Sequence, residues 1–148
     1  MSLIHRSIEV EVPVSTAYNQ WTQFEEFPHF MEGVERVHQL DDRTLYWCAE
    51  IGGRRMEWHA EIVEQSPDGR ISWRSTSGTP NAGTVRFEAR GGRRCLVELS
   101  LEYEPQGAAE TLGDWLGVLG TRIDGDLRRF KDFIESRRVE TGAWRRAI

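Results

Sequence analysis

The chain is 148 residues long, 39% of them hydrophobic, with 19 basic against 24 acidic side chains and a net charge of −5. That length is one domain with room for a sizeable core, and six Trp, six Phe and three Tyr exclude a disordered chain. The acidic balance argues against a nucleic-acid partner, because neutralising phosphates takes clustered positive charge. No apolar run approaches the roughly 20 residues of a membrane span, so no integral membrane segment is expected. Residues Met1 to Val12 hold acids inside their apolar stretch and no signal-peptide core, so a cytoplasmic location is expected. Cys48 and Cys95 lie far apart without a C-x-x-C spacing and read as free, buried thiols. All basic residues but Lys131 are arginine, scattered among acids, which reads as codon bias and not as a phosphate-binding surface.

From Ser7 to Val12 apolar and polar residues alternate, the pattern of a half-buried strand. Pro13 ends it, Ser15 is the expected N-cap of a helix, and Ala17, Tyr18 and Trp21 recur at helical spacing. A second short helical segment holds Phe24, Phe27, Phe30 and Met31, is broken by Pro28 and closes at Gly33. From Val34 to Tyr103 the chain reads as about six strands. Trp47, Met56, Trp58, Trp73 and Phe87 share the apolar parity of their strands, and acids mostly occupy the other. Gly52-Gly53, Pro67-Asp68-Gly69 and Gly91-Gly92 supply tight turns between them, so the neighbours are antiparallel. Thr111 to Arg137 reads as one helix about 40 Å long, with Leu112, Trp115, Leu116, Leu119 and Ile123 opening its apolar stripe. It is the only element large enough to cover the apolar face of the sheet. Residues 1–138 therefore form a single domain, and 139–148 a C-terminal tail that reads as frayed or as a separate arm.

This order, together with local wording, resembles the START/SRPBCC superfamily in its polyketide cyclase/dehydrase and coenzyme-Q-binding-like branch. The wording lies in Val12-Pro-Val-Ser-Thr-Ala-Tyr18, in Phe24-Glu-Glu-Phe-Pro-His-Phe-Met31, in Trp47-Cys-Ala-Glu-Ile-Gly-Gly-Arg-Arg-Met-Glu-Trp58 and in Pro67-Asp-Gly-Arg-Ile-Ser-Trp73, and the likeness spans roughly residues 4–137. The resemblance implies an α+β helix-grip fold in β-α-α-β6-α order: a seven-stranded antiparallel sheet wrapped around the long C-terminal helix, with a cavity between them. It implies lipid or quinone carriage, or aromatase/cyclase activity, without choosing among them.

Four groups of residues could serve such a cavity. Glu57, His59 and Glu61 share one strand face, as a proton relay would need, but theirs is the face opposite Met56 and Trp58, so they are expected in solvent. Trp21, Phe24, Phe27, Phe30, Trp47, Trp58, Trp73 and Phe87 fit either the wall of an apolar cavity or an ordinary aromatic core. Gly113, Gly117 and Gly120 run beside the helix stripe at i, i+4, i+7, leaving room either for a ligand near Leu116 or for close helix-on-sheet packing. Arg54 shares parity with Met56 and resembles the cavity arginine of aromatase/cyclases, which holds or polarises a polyketide oxygen; as an ordinary residue it is a strand-end surface arginine. Tyr46 has the wrong parity to join it.

No histidine pair has metal-ligand spacing, and no nucleophile elbow, P-loop or dinucleotide fingerprint occurs, so neither metal nor cofactor is expected. The reading is a protein that binds a hydrophobic small molecule — lipid, quinone or polyketide-like — without turnover. The alternative is a polyketide aromatase/cyclase or dehydratase acting in the same cavity, with Arg54 its candidate catalytic residue. An interaction module docking through an exposed apolar patch, or through Trp144, Arg145 and Arg146 of the tail, is a third reading. Oligomeric state is not encoded in any of these features.

Overall fold

The computed structural model describes residues 2–103 and 112–148, with backbone alone for residue 2 and for 112–116. Strand β1 (Ser2–Val10) is followed by helix α1 (Val14–Trp21) and a 3₁₀ helix over Phe24–His29. Six strands follow: β2 (Val34–Gln39), β3 (Thr44–Ile51), β4 (Arg54–Ser66), β5 (Arg70–Gly78), β6 (Asn81–Ala89) and β7 (Cys95–Tyr103). Helix α2 (Leu112–Arg137) covers them. The antiparallel sheet runs in the order β1-β7-β6-β5-β4-β3-β2. It is a meander from β2 to β7 with β1 laid along β7, so α1 and the 3₁₀ helix carry the chain from one sheet edge to the other. The helix-grip architecture expected from the resemblance is the architecture observed.

The strands form where apolar and polar residues alternate. On β3, Leu45, Ala49 and Ile51 turn inward and are buried, with Trp47 half-buried among them. On β4 the inward row is Met56, Trp58, Ala60 and Ile62, as the alternation predicts. Beyond Ile62 a bulge shifts the register, so Val63 faces solvent and Gln65 turns in, buried. A bulge adds a residue to one strand and sharpens its twist; β5 carries a second at Thr76, opposite His59 and Ala60, and β2 one at Glu35, all on the half of the sheet that must curl.

Helix α2 is anchored by the stripe Leu119, Ile123, Leu127, Phe130 and Ile134, all buried. Phe130 packs edge-on against Trp21 at 4.9 Å and against Phe30 at 5.2 Å. Burying one such side chain contributes about 1.5–3 kcal/mol. Among the described residues no helix is long and apolar enough to cross a membrane.

Two local expectations are corrected. The cap position of α1 is Pro13, not Ser15; the Ser15 hydroxyl donates instead to Asp68 Oδ2 at 3.0 Å, in the β4–β5 turn. The tail is not a frayed arm. Thr141 donates its N–H to Gln20 Oε1, Trp144 its own to Thr22 Oγ1, and Ile148 and Gln65 exchange both backbone hydrogen bonds at 2.9 and 3.0 Å. Arg145 bonds Asp68 and Asn19 and lies over the Tyr18 ring.

Candidate functional site: an apolar cavity under the long helix

Between the concave face of the sheet and α2 lies a cavity of about 150 Å³. Its wall is made by geometry already present in the strands. Trp47 and Trp58 are register partners on β3 and β4, so their rings meet on one face and stack 5.4 Å apart at 9°. Trp73 on β5 continues the wall, its ring over Gly83 of β6, where an added Cβ would lie 2.5 Å from Trp73 Cζ2. Trp21, Phe24 and Phe27 close one side from the helical pair, and Leu119, Ile123 and Leu127 close the top from α2.

The three strand tryptophans differ in one respect. Trp73 donates its indole N–H to Asn81 Oδ1 at 3.1 Å. The buried N–H groups of Trp47 and Trp58 have no hydrogen-bond partner among the described residues. A buried unpaired donor forfeits about 1–3 kcal/mol, so this stretch of wall is held by ring packing and not by polar contacts.

Thr79 and Asn81 bring polar groups to the wall at the β5–β6 turn, and its charged residues gather where α2 meets the turn after the 3₁₀ helix. Arg122 and Asp126, one helical turn apart, both line the cavity. Arg122 Nη1 donates to the Glu32 carbonyl at 2.6 Å, and the Glu32 N–H donates to Asp126 Oδ1 at 3.1 Å. Arg129 donates to the same Asp126 oxygen at 2.6 Å and to the Phe30 carbonyl at 3.0 Å. Gly33 sits here with φ +89°, and a Cβ on it would run into Arg122 Nη1 and the Glu50 carbonyl. Burial pushes the Asp126 carboxyl up to about 6, outweighing the opposing pull of Arg129. A carboxyl poised there can hold or release a proton at the edge of an otherwise apolar space.

Of the residues singled out in the sequence, Trp21, Phe24, Phe27, Trp47, Met56, Trp58 and Trp73 lie on the cavity wall. Phe30 and Phe87 do not: Phe30 fills the core against Phe130, and Phe87 packs edge-on to Tyr18 at 5.4 Å and Trp21 at 6.2 Å. The glycine row makes no room for a ligand where it is described. Gly117 is exposed, with no described atom within 4 Å of an added Cβ, and buried Gly120 makes way for the guanidinium of Arg6. Of Leu112, Gly113, Trp115 and Leu116 only the backbone is described.

Arg54, at the start of β4, is half-buried and does not reach the cavity wall. The Glu57–His59–Glu61 row is on the outer face: Glu57 pairs with Arg55 at 3.3 Å, Glu61 with Arg74 at 3.4 Å, and His59 bonds Ser77 at 3.1 Å. Tyr46 shares that face, its ring against His38 and His59. Cys48 and Cys95 are buried and unbridged. The sequence reading missed Arg122, Asp126 and Asn81. Arg122, Asp126 and Arg129 follow i, i+4, i+7 along the margin of the apolar stripe, and that spacing was the available signal.

Comparison with known proteins agrees with this geometry. The model of a family described as polyketide cyclase/dehydrase and lipid transport matches residues 10–132. A Streptomyces lincolnensis relative, named only as an uncharacterized 17.2 kDa protein of the melC2–rnhH intergenic region, is 47% identical over 149 residues, covering 100% of this chain and 99% of its own. Among solved structures, a START superfamily protein of Mycobacterium smegmatis superposes with a TM-score of 0.82 at 14% identity, over 91% of this chain and 98% of that one. The Zhui aromatase/cyclase of Streptomyces sp. R1128 gives 0.81 at 13% identity, over 97% and 99%. At these identities the two structures share the fold.

Proposed function

This chain belongs to the polyketide cyclase/dehydrase and lipid transport family, and from that premise we propose that it binds one hydrophobic small molecule between its sheet and α2. The observation that supports this reading is the cavity itself, whose wall is mostly aromatic and aliphatic, with a few polar groups at the β5–β6 turn and on α2. A concave, mostly apolar space with a few polar groups at one edge is the usual form of a small-molecule site. Stacked, flat indoles favour a flat ligand over a branched one.

The test uses the intact protein. Native mass spectrometry after gentle purification is expected to show a copurified apolar species, and the neutral probe N-phenylnaphthylamine is expected to bind at one site and be displaced by quinones or fatty alcohols. Absence of any saturable apolar binding rejects the reading.

A second reading, cyclase or dehydratase chemistry in the same cavity, draws support from Asp126, a wall carboxyl that burial pushes up to about 6. There Asp126 would exchange the proton, and Arg54 would play no part. Turnover of a poly-β-ketone by the wild type, lost in Asp126→Asn while N-phenylnaphthylamine still binds, separates this reading from simple carriage.

A further inference from the structure

Among the described residues Arg122 is the one cation on the cavity wall, and its surroundings leave it underused. A guanidinium offers five N–H donors in a planar fork. In the structure the Arg122 fork meets one acceptor, the Glu32 carbonyl. The nearby carboxylates make their hydrogen bonds and ion pairs elsewhere, although the Arg122 charge also acts on Asp126. Asp126 takes Arg129 and the Glu32 N–H, the Glu32 carboxylate faces Arg129 Nη1 at 3.4 Å, and Asp124 pairs with Arg6 at 2.9 Å. Among the described residues no carboxylate forms an ion pair with Arg122. The absence of a side chain at Gly33 leaves room for the guanidinium, since a Cβ there would collide with Nη1.

We propose that the cavity takes an apolar molecule ending in a carboxylate, with its ring or chain against the tryptophans and its carboxylate on the Arg122 guanidinium at the rim. The proposal rests on the reading that the cavity binds a ligand at all, and adds the ligand's charged end. The planar fork suits a carboxylate, which accepts two parallel N–H bonds; these are stronger than those of a neutral hydroxyl. The local charges also fit. Arg122, Arg129, Asp126 and Glu32 sum to zero, but both acids lie against Arg129, so the positive end of the cluster is Arg122. Arg122 is half-buried at the rim, so a neutral ligand would leave its spare donors to water, whereas an anionic one would take them up as charged hydrogen bonds.

Calorimetric titration with naphthoate and naphthylmethanol, which share a ring and differ in the charged end, tests this. The wild type is expected to bind naphthoate about tenfold more tightly, one well-made charged contact. That ratio is expected to fall towards one in Arg122→Gln and to persist in part in Arg122→Lys, which keeps the charge. Equal or weaker binding of naphthoate by the wild type overturns the inference and leaves apolar binding standing. A ratio that survives in Arg122→Gln places the charge recognition elsewhere and also overturns it. If neither compound binds, the cavity reading fails and the inference with it. Should Arg122→Gln not fold, the wild-type ratio and the Arg122→Lys ratio still decide.

Discussion

Gly83 and Gly117 look alike in the sequence, and the structure gives them opposite meanings. Gly83 pairs with Trp73 across β5 and β6, and the Trp73 ring occupies the space a side chain would need. An alanine there would set its methyl 2.5 Å from the ring and 2.8 Å from the Ser100 carbonyl. The backbone oxygen cannot withdraw, so the ring must move into the cavity. Overpacking of this kind costs about 1–3 kcal/mol. Gly117 is exposed on α2, where alanine gains about 1 kcal/mol of helix propensity. Urea unfolding is therefore expected to show Gly83→Ala destabilised and Gly117→Ala stabilised. A neutral Gly83→Ala would mean that Trp73 does not hold its place. The sequence could not separate the two glycines, because the crowding at Gly83 comes from a ring on the neighbouring strand.

At the scale of elements, period decided what was legible. Two-residue alternation marked β3, β4, β6 and β7, and their inward rows followed from it, down to the Trp47–Trp58 pairing. The bulge after Ile62 was not legible, since register shifts arise between strands. On α2 the apolar stripe was plain, but the polar margin that clasps the 30–33 turn was not, because its partners there are the Phe30 and Glu32 backbones and no sequence pattern marks a carbonyl. That clasp carries a pH signature. The folded-state pKa of Asp126, about 6, lies above the unfolded value near 4. The native state therefore binds the extra proton between these values, and stability falls as pH rises through that window, then levels. The slope is at most about 1.4 kcal/mol per pH unit over roughly two units. Urea unfolding of wild type and Asp126→Asn at steps from pH 4 to 7 is expected to show the wild type losing about 1–3 kcal/mol relative to the variant. Parallel curves would show that Asp126 titrates as an ordinary surface carboxyl.

Across the whole molecule, residues 139–148 bind the cavity scaffold together. The segment crosses α1, with Glu140 and Arg145 on Asn19 and Thr141 on Gln20, and ends paired to Gln65 beyond the bulge of β4. Trp144 packs edge-on to Phe24 at 6.5 Å, and Phe24 lines the cavity. Composition alone concealed this: one Trp among Gly, Thr and Arg has no period, and its partners Thr22, Phe24 and Gln65 are distant in sequence. Cutting the chain after Arg138 would expose Phe24 and Tyr18 and strip partners from buried Asn19, Gln20 and Gln65. Lost apolar burial and several orphaned polar groups together are expected to cost about 3 kcal/mol. For a domain this size that is a fall in Tm of about 6–12 °C. Apolar probe binding is expected to weaken with it, because the wall at Phe24 loses its backing. A truncated protein that melts with the full chain would make the segment a passenger. One that melts lower yet binds N-phenylnaphthylamine unchanged would confine its role to stability and leave the cavity shaped by the sheet, α1 and α2 alone.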